Sequence, residues 1–114
     1  MSKCKIVFLG GGSYQWGINI ARDLLVTKDL DGSELVLLDL NLKGARDVKR
    51  GTDRVQAKAG THWKVRVTAD RRQALAGADF VILCISTGAL DSMQHDVDIP
   101  WKYGIHQPVG DSTG

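Results

Sequence analysis

KIVFLGGGSYQW, residues Lys5 to Trp16, passes from an apolar run rich in β-formers directly into three glycines and then into residues that can open a helix. The stretch predicts a strand, a tight turn and a helix N-terminus. Glycine at such a turn lets the backbone approach a bound group. Free N–H groups there, with the positive end of the helix dipole, attract negative charge. The expected ligand is the pyrophosphate of a dinucleotide. The spacing departs from Gly-x-Gly-x-x-Gly, because Gly10 and Gly12 are in place but Gln15 stands where the third glycine would be. The third glycine serves close helix-to-strand packing, so Gln15 should tilt the helix slightly and leave the anion site. Ser13 can offer its hydroxyl to the phosphate or cap the helix. Glycine turns also occur as plain strand-to-helix connections, and support for a ligand has to come from elsewhere in the chain.

ELVLLDL, from Glu34 to Leu40, is a second strand-like run and ends in Asp39. A carboxylate there can accept hydrogen bonds from an adenosine ribose and disfavours a 2′-phosphate, which points to NAD over NADP. Asp39 lies further from Gly12 than the usual interval of about 20 residues, and the polar stretch Thr27 to Ser33 should absorb the excess as a longer loop. The alternative is that Asp39 caps the helix beginning near Leu42. Helices are expected from Gly17 to Val26 and from Leu42 to Lys58, then a strand at Val65 to Thr68 and a brief helix at Arg71 to Leu75. In FVILCIS, Phe80 to Ser86, the residues from Phe80 to Ile85 are apolar throughout. That suits a parallel strand covered on both faces. The fold class is therefore α/β, a Rossmann-like parallel sheet. Right-handed crossovers give the strand order 3-2-1-4, with a crevice where strands 1 and 4 diverge. The glycine turn and the Thr87–Gly88 turn should face each other across it.

A complete dinucleotide domain has two mononucleotide halves, and 114 residues hold the first half and one further strand. Residues 1–114 are thus expected to be an incomplete, N-terminal NAD-binding domain of a longer protein. A fourth strand without a fifth neighbour would invite edge pairing. Fifteen Lys and Arg against thirteen Asp and Glu, interspersed, do not make a nucleic-acid surface. The basic groups between Arg46 and Arg54 alternate with acids and read as a solvated helix face. No apolar run approaches the roughly 20 residues that span a bilayer, and no signal peptide precedes the first strand, so a cytoplasmic protein is expected. Cys4 and Cys84 lie far apart, each tied to a strand, and are expected to pack. His62, His95 and His106 show no metal-ligand spacing.

The runs GGGSYQW, ARDLL, VLLDL, ADFVILCIS, DIPWKYGI and QPVGDSTG, in this order, resemble the N-terminal region of glycoside hydrolase family 4. The resemblance covers essentially the whole chain. GALDSMQHDVDIP, from Gly88 to Pro100, and Trp16 look most like the α-galacturonidase branch. Phosphosugar members carry an arginine before their Ile-Pro-x-Lys-Tyr-Gly, whereas Ser86 to Pro100 has no Arg or Lys and Met93 occupies the corresponding position. The missing guanidinium argues against a 6-phosphoglycoside. A uronate also needs a cationic partner, for which His95 is the one candidate in this segment.

The resemblance implies the NAD-dependent exception among glycosidases. In that chemistry hydride leaves C3 of the sugar for NAD⁺, a base takes the acidified C2 proton, the aglycone is eliminated, water adds at C1 and C3 is reduced again. A divalent ion, usually Mn²⁺, polarises the C2 and C3 oxygens. Its ligands and the catalytic base are expected beyond Gly114. By resemblance, Gly10, Gly12, Ser13, Gln15 and Trp16 form the pyrophosphate turn and Asp39 is the ribose acid. Thr87 and Gly88 lie beside the nicotinamide ribose, and Asp111 contacts sugar hydroxyls. Asp111 reads equally as a turn residue, and Trp16 as packing between helix and sheet. Asp91, Asp96 and Asp98 are expected at the surface or as caps on a helix toward Tyr103 that Pro100 kinks or restarts. The implied partner is a small-molecule glycoside, and the implied state a homo-oligomer. Two rivals share the fold: an NAD-dependent dehydrogenase of the lactate and malate type, and a non-catalytic NAD-binding module. The first usually carries arginines after the fourth strand, and Thr87 to Asp98 has none.

Overall fold

Alternating strands and helices wind into one parallel sheet. The computed structural model describes residues 3–13, 15–86 and 88–108. In chain order the elements are β1 (Lys5–Leu9), α1 (Trp16–Leu25), β2 (Glu34–Leu38), α2 (Leu42–Ala59), β3 (Lys64–Thr68), α3 (Arg71–Leu75), β4 (Phe80–Leu83) and α4 (Ala89–Trp101). A short 3₁₀ turn, Lys28–Leu30, lies in the long loop before β2. The sheet order is β3-β2-β1-β4, all pairs parallel, as the strand-helix alternation predicts.

The register explains the core. Ile6 and Phe8 of β1 lie beside Leu35 and Leu37 of β2 on the face packed by Ala21 and Leu25 of α1 and by Ala45 and Val48 of α2. Val7, Val36 and Leu38 occupy the opposite face, which Ala74 of α3 covers. The two central strands are therefore buried on both sides, as their continuous apolar runs require. Each large side chain removed from water here contributes about 1.5–3 kcal/mol.

Local chemistry sets the helix ends. Asn41 caps α2, its Oδ1 accepting from the Gly44 N–H at 3.0 Å. Gly60 closes the same helix at φ +69°, its N–H donating to Gln56 O. Asp70 caps α3 through the Gln73 N–H at 3.1 Å.

One expectation is corrected. The fourth strand ends at Leu83 rather than Ser86, and it is not covered on both faces. Phe80 and Leu83 are 62% and 66% exposed, while Ile82 and Cys84 reach the core. The cause is position: β4 is an edge strand paired only with β1 among the described residues, and one-turn α3 does not extend over it. The apolar run is genuine, but an apolar run cannot say whether the neighbour that would cover it is present. Beyond it α4 reaches Trp101 with Pro100 in its last turn rather than at a restart, and has no extensive packing against the sheet among the described residues.

Candidate functional site

The strands' C-terminal ends open onto a cleft of about 1060 Å³, running from Cys84–Ser86 across the glycine turn to Asp39 and on to Asp70–Arg72. Its floor is the turn after β1. Gly10 has φ +98°, and a Cβ there would stand 1.9 Å from the Cys84 carbonyl oxygen. Glycine is thus required at position 10 by both conformation and contact. A Cβ on Gly11 would meet Leu37 Cα at 2.7 Å, so the turn is pressed onto β2 as well. At Gly12 the obstacles are the Ala45 nitrogen and Asp39 Oδ2, both at 2.9 Å. Three successive glycines let one turn touch β4, β2 and the start of α2.

The missing third glycine has a physical answer. Gly17, two residues beyond Gln15, is buried, and its Cβ would lie 3.0 Å from Gly11 O and 3.3 Å from Val48 Cγ2. The close approach of α1 to the turn and to α2 therefore falls on Gly17. A Cβ on Gly51 of α2 would lie 2.5 Å from Ile18 Cδ1, continuing that seam.

The expectation of free N–H groups at the turn needs correction. Gly10 and Gly11 both donate to Leu38 O, Ser13 donates to Gly10 O, and Gly12 donates to Asp39 Oδ2 at 2.8 Å. The Trp16 N–H donates to Ser13 Oγ at 3.2 Å, just ahead of α1, whose N-cap position is Gln15. The Gln15 N–H, at the opening of α1, has no acceptor among the described residues. A glycine turn this tight spends most of its described donors on its own geometry, and Gln15 at the helix opening offers one that is not so used.

Asp39 is half-buried at the end of β2 and does not cap α2, since Asn41 does that. Its Oδ1 accepts from the Asn41 N–H at 2.9 Å and its Oδ2 from Gly12. Trp16 is 55% exposed and lines the cleft, so it does not pack α1 onto the sheet.

Gly10, Gly12, Ser13, Trp16 and Asp39 are thus brought together; Gln15 adjoins them without lining the cleft, and Gly88 lies outside it as the N-cap of α4. Thr87 and Asp111 fall outside the described residues. Not foreseen were Gly11, Gly17, Asn41 and the wall formed by Arg71 and Arg72, neither of which has an ion-pair partner among the described residues. Asn41, directly before the helix and three residues ahead of Gly44, carried a readable cap signal.

Among the described residues no three His, Cys, Asp or Glu side chains gather as a metal site. His62 pairs with Asp31 on a loop away from the cleft, His95 is exposed on α4, and His106 packs edge-on against Trp101.

The sequence profile of the family 4 glycosyl hydrolases matches residues 5–114. The chain belongs to that family. Family 4 relatives include an α-galacturonidase of Thermoanaerobacter italicus, 34% identical over 96% of this chain and 23% of its own length. An α-galactosidase of Rhizobium meliloti is 35% identical over 98% of the chain and 23% of its length. A Thermotoga maritima 6-phospho-β-glucosidase solved with manganese, NAD⁺ and glucose-6-phosphate superimposes with a TM-score of 0.74 at 25% identity, covering 93% of this chain and 25% of that one. The chain spans about a quarter of the length of these family 4 relatives.

Proposed function

We propose that residues 1–114 are the NAD-binding N-terminal part of a family 4 glycosidase acting on a small-molecule α-glycoside, an α-galacturonide as the favoured substrate. The observation that carries this reading is the glycine turn, in which a side chain at any of three successive positions would collide with β4, β2 or α2. The cleft fits a dinucleotide by its size, its glycine floor and its placement at the strand ends. Gly10, Gly12 and Ser13 would shape the floor under the pyrophosphate. Asp39 would face the adenosine ribose, with Arg71 and Arg72 on the same wall. Bound NAD⁺ would supply a hydride acceptor for a sugar carbon. This chain's residues hold the turn rigid and set the distance between β1 and β4.

Manganese is different, because the described residues offer no ligand set, and no step through a metal is assigned to them. The absence of Lys and Arg between Ser86 and Pro100 supports a substrate without a 6-phosphate. Galacturonidase and galactosidase relatives lie at 34% and 35% identity, so the choice of a uronate rests on the Gly88–Pro100 motif and Trp16. We place the protein in the cytoplasm as a homo-oligomer that binds neither nucleic acid nor membrane. No described helix is long and apolar enough to cross a bilayer.

The test is release of galacturonate from a small α-galacturonide by the full-length protein, with and without NAD⁺ and Mn²⁺, following NADH absorbance and deuterium uptake at C2. Cofactor-dependent cleavage with C2 exchange and no accumulating NADH is the expected result. Accumulating NADH without cleavage would establish a dehydrogenase instead.

A further inference from the structure

Asp39 makes two hydrogen bonds before any ligand arrives, and both go to backbone. Oδ2 accepts from Gly12, 27 residues earlier in the chain, at 2.8 Å, and Oδ1 accepts from Asn41 at 2.9 Å. Neighbouring atoms make the first of these mechanically significant. A Cβ on Gly12 would lie 2.9 Å from the Ala45 nitrogen and 3.1 Å from Asn41 O, and one on Gly44 would lie 2.9 Å from Gly12 O. The phosphate turn is therefore wedged against the first turn of α2, and the Asp39 carboxylate is the polar tie across that contact. A carboxylate bonded to two N–H groups holds them more strongly than a neutral acceptor could. Asn in its place has one acceptor oxygen for two donors, and its NH₂ would face an N–H.

We propose that Asp39 is a positioning residue for the pyrophosphate turn, acting through Gly12, in addition to any contact with the adenosine ribose. The inference rests on the reading that the cleft takes NAD, and it separates two roles that a ribose acid alone does not combine. A purely ribose-binding carboxylate matters only while the ribose hydroxyls are there to be bound. A carboxylate that fixes Gly12 matters for any ligand seated on the turn. Charge points the other way, since removing an anion beside a pyrophosphate favours binding by Coulomb's law. A loss of affinity for a ligand lacking those hydroxyls therefore cannot come from electrostatics.

The experiment measures binding of NAD⁺ and of an NAD⁺ analogue without the 2′- and 3′-hydroxyls of its adenosine ribose, by calorimetry, to the full-length protein and to Asp39→Asn and Asp39→Ser. Circular dichroism checks that each variant is folded. The expected result is that the dideoxy analogue loses roughly tenfold or more on Asp39→Asn, the weight of one charge-assisted hydrogen bond. Amide hydrogen exchange of the unliganded protein gives a second readout: the Gly12 and Asn41 amides should be protected, and should lose that protection in Asp39→Ser. Unchanged or tighter binding of the analogue by both folded variants, with NAD⁺ alone weakened, would overturn the positioning role and leave the NAD reading intact. Failure of the unaltered protein to bind NAD⁺ would overturn both. Should both variants fail to fold, amide exchange of the unaltered protein decides: a Gly12 amide that exchanges at the unprotected rate refutes the tie.

Discussion

Replacing Gly10 with alanine tests whether the floor of the cleft is built by contact with β4. The backbone there has φ +98°, which costs an L-residue roughly 1–3 kcal/mol. The new Cβ would also lie 1.9 Å from the Cys84 carbonyl oxygen, where separations below 3.0 Å are essentially never found. Relief requires the turn and the end of β4 to part by more than an ångström. That movement strains the bonds holding both: Cys84 N–H to Leu9 O at 2.9 Å and Gly10 N–H to Leu38 O at 2.8 Å. Each is worth about 1 kcal/mol net. The sum is about 3–5 kcal/mol, equivalent to a fall in Tm of about 10–20 °C for a domain of this size. Gly60→Ala is the matched control, because Gly60 is also left-handed, at φ +69°, but has open space around its Cβ position. It should cost only about 1–2 kcal/mol. Urea unfolding of both variants, with NAD⁺ titration of whatever remains folded at 25 °C, measures the difference. Equal losses in the two would refute the contact with Cys84.

Leu37→Ala, at a fully buried position of β2 on the face packed by α1 and α2, should destabilise by about 2–5 kcal/mol in the same unfolding assay. Asn41→Ala should cost about 1 kcal/mol through loss of the α2 cap, seen as a lower melting temperature. Asp31 is held below the ordinary carboxylate value of 3.8, chiefly by the His62 N–H at 2.5 Å, with burial acting in the opposite sense. Its ionised form therefore stabilises the fold above that value, and the contribution disappears as pH falls through the lower folded pKa. Asp31→Asn should melt below the unaltered protein at pH 7, and the gap should close on acidification below about pH 3.8; a gap constant with pH would refute the assignment.

The strand order and the helix positions were legible because each buried face is written in a short apolar run. KIVFL and ELVLL are buried on both sides, and α2 shows its buried stripe at Ala45, Val48 and Thr52. Legibility failed where the decisive quantity was a distance between segments remote in sequence. The roles of Gly11 and Gly17 were not readable from their own positions, since a Cβ on Gly11 would meet Leu37 and one on Gly17 would crowd Gly11 O and Val48. The occupied N–H groups of the turn were equally hidden, because their acceptors, Leu38 O and the Asp39 carboxylate, belong to the next strand. Exposure of Phe80 and Leu83 depends on what lies beside β4, which the residues of β4 do not encode.

The seat that the Cys84 carbonyl makes under Gly10 also bears on folding kinetics. Parallel strands cannot pair through hairpins, and closing a loop from the start of the chain to its fourth strand is entropically the most expensive ring in this sheet. A chain emerging from its N-terminus can bring β1, α1, β2 and α2 together first, while the phosphate turn still lacks its floor. Loop-closure entropy thus predicts that the cleft is completed late, when the Cys84 N–H reaches Leu9 O. A dinucleotide bound there as proposed would act as a latch, drawing β4 into place by mass action.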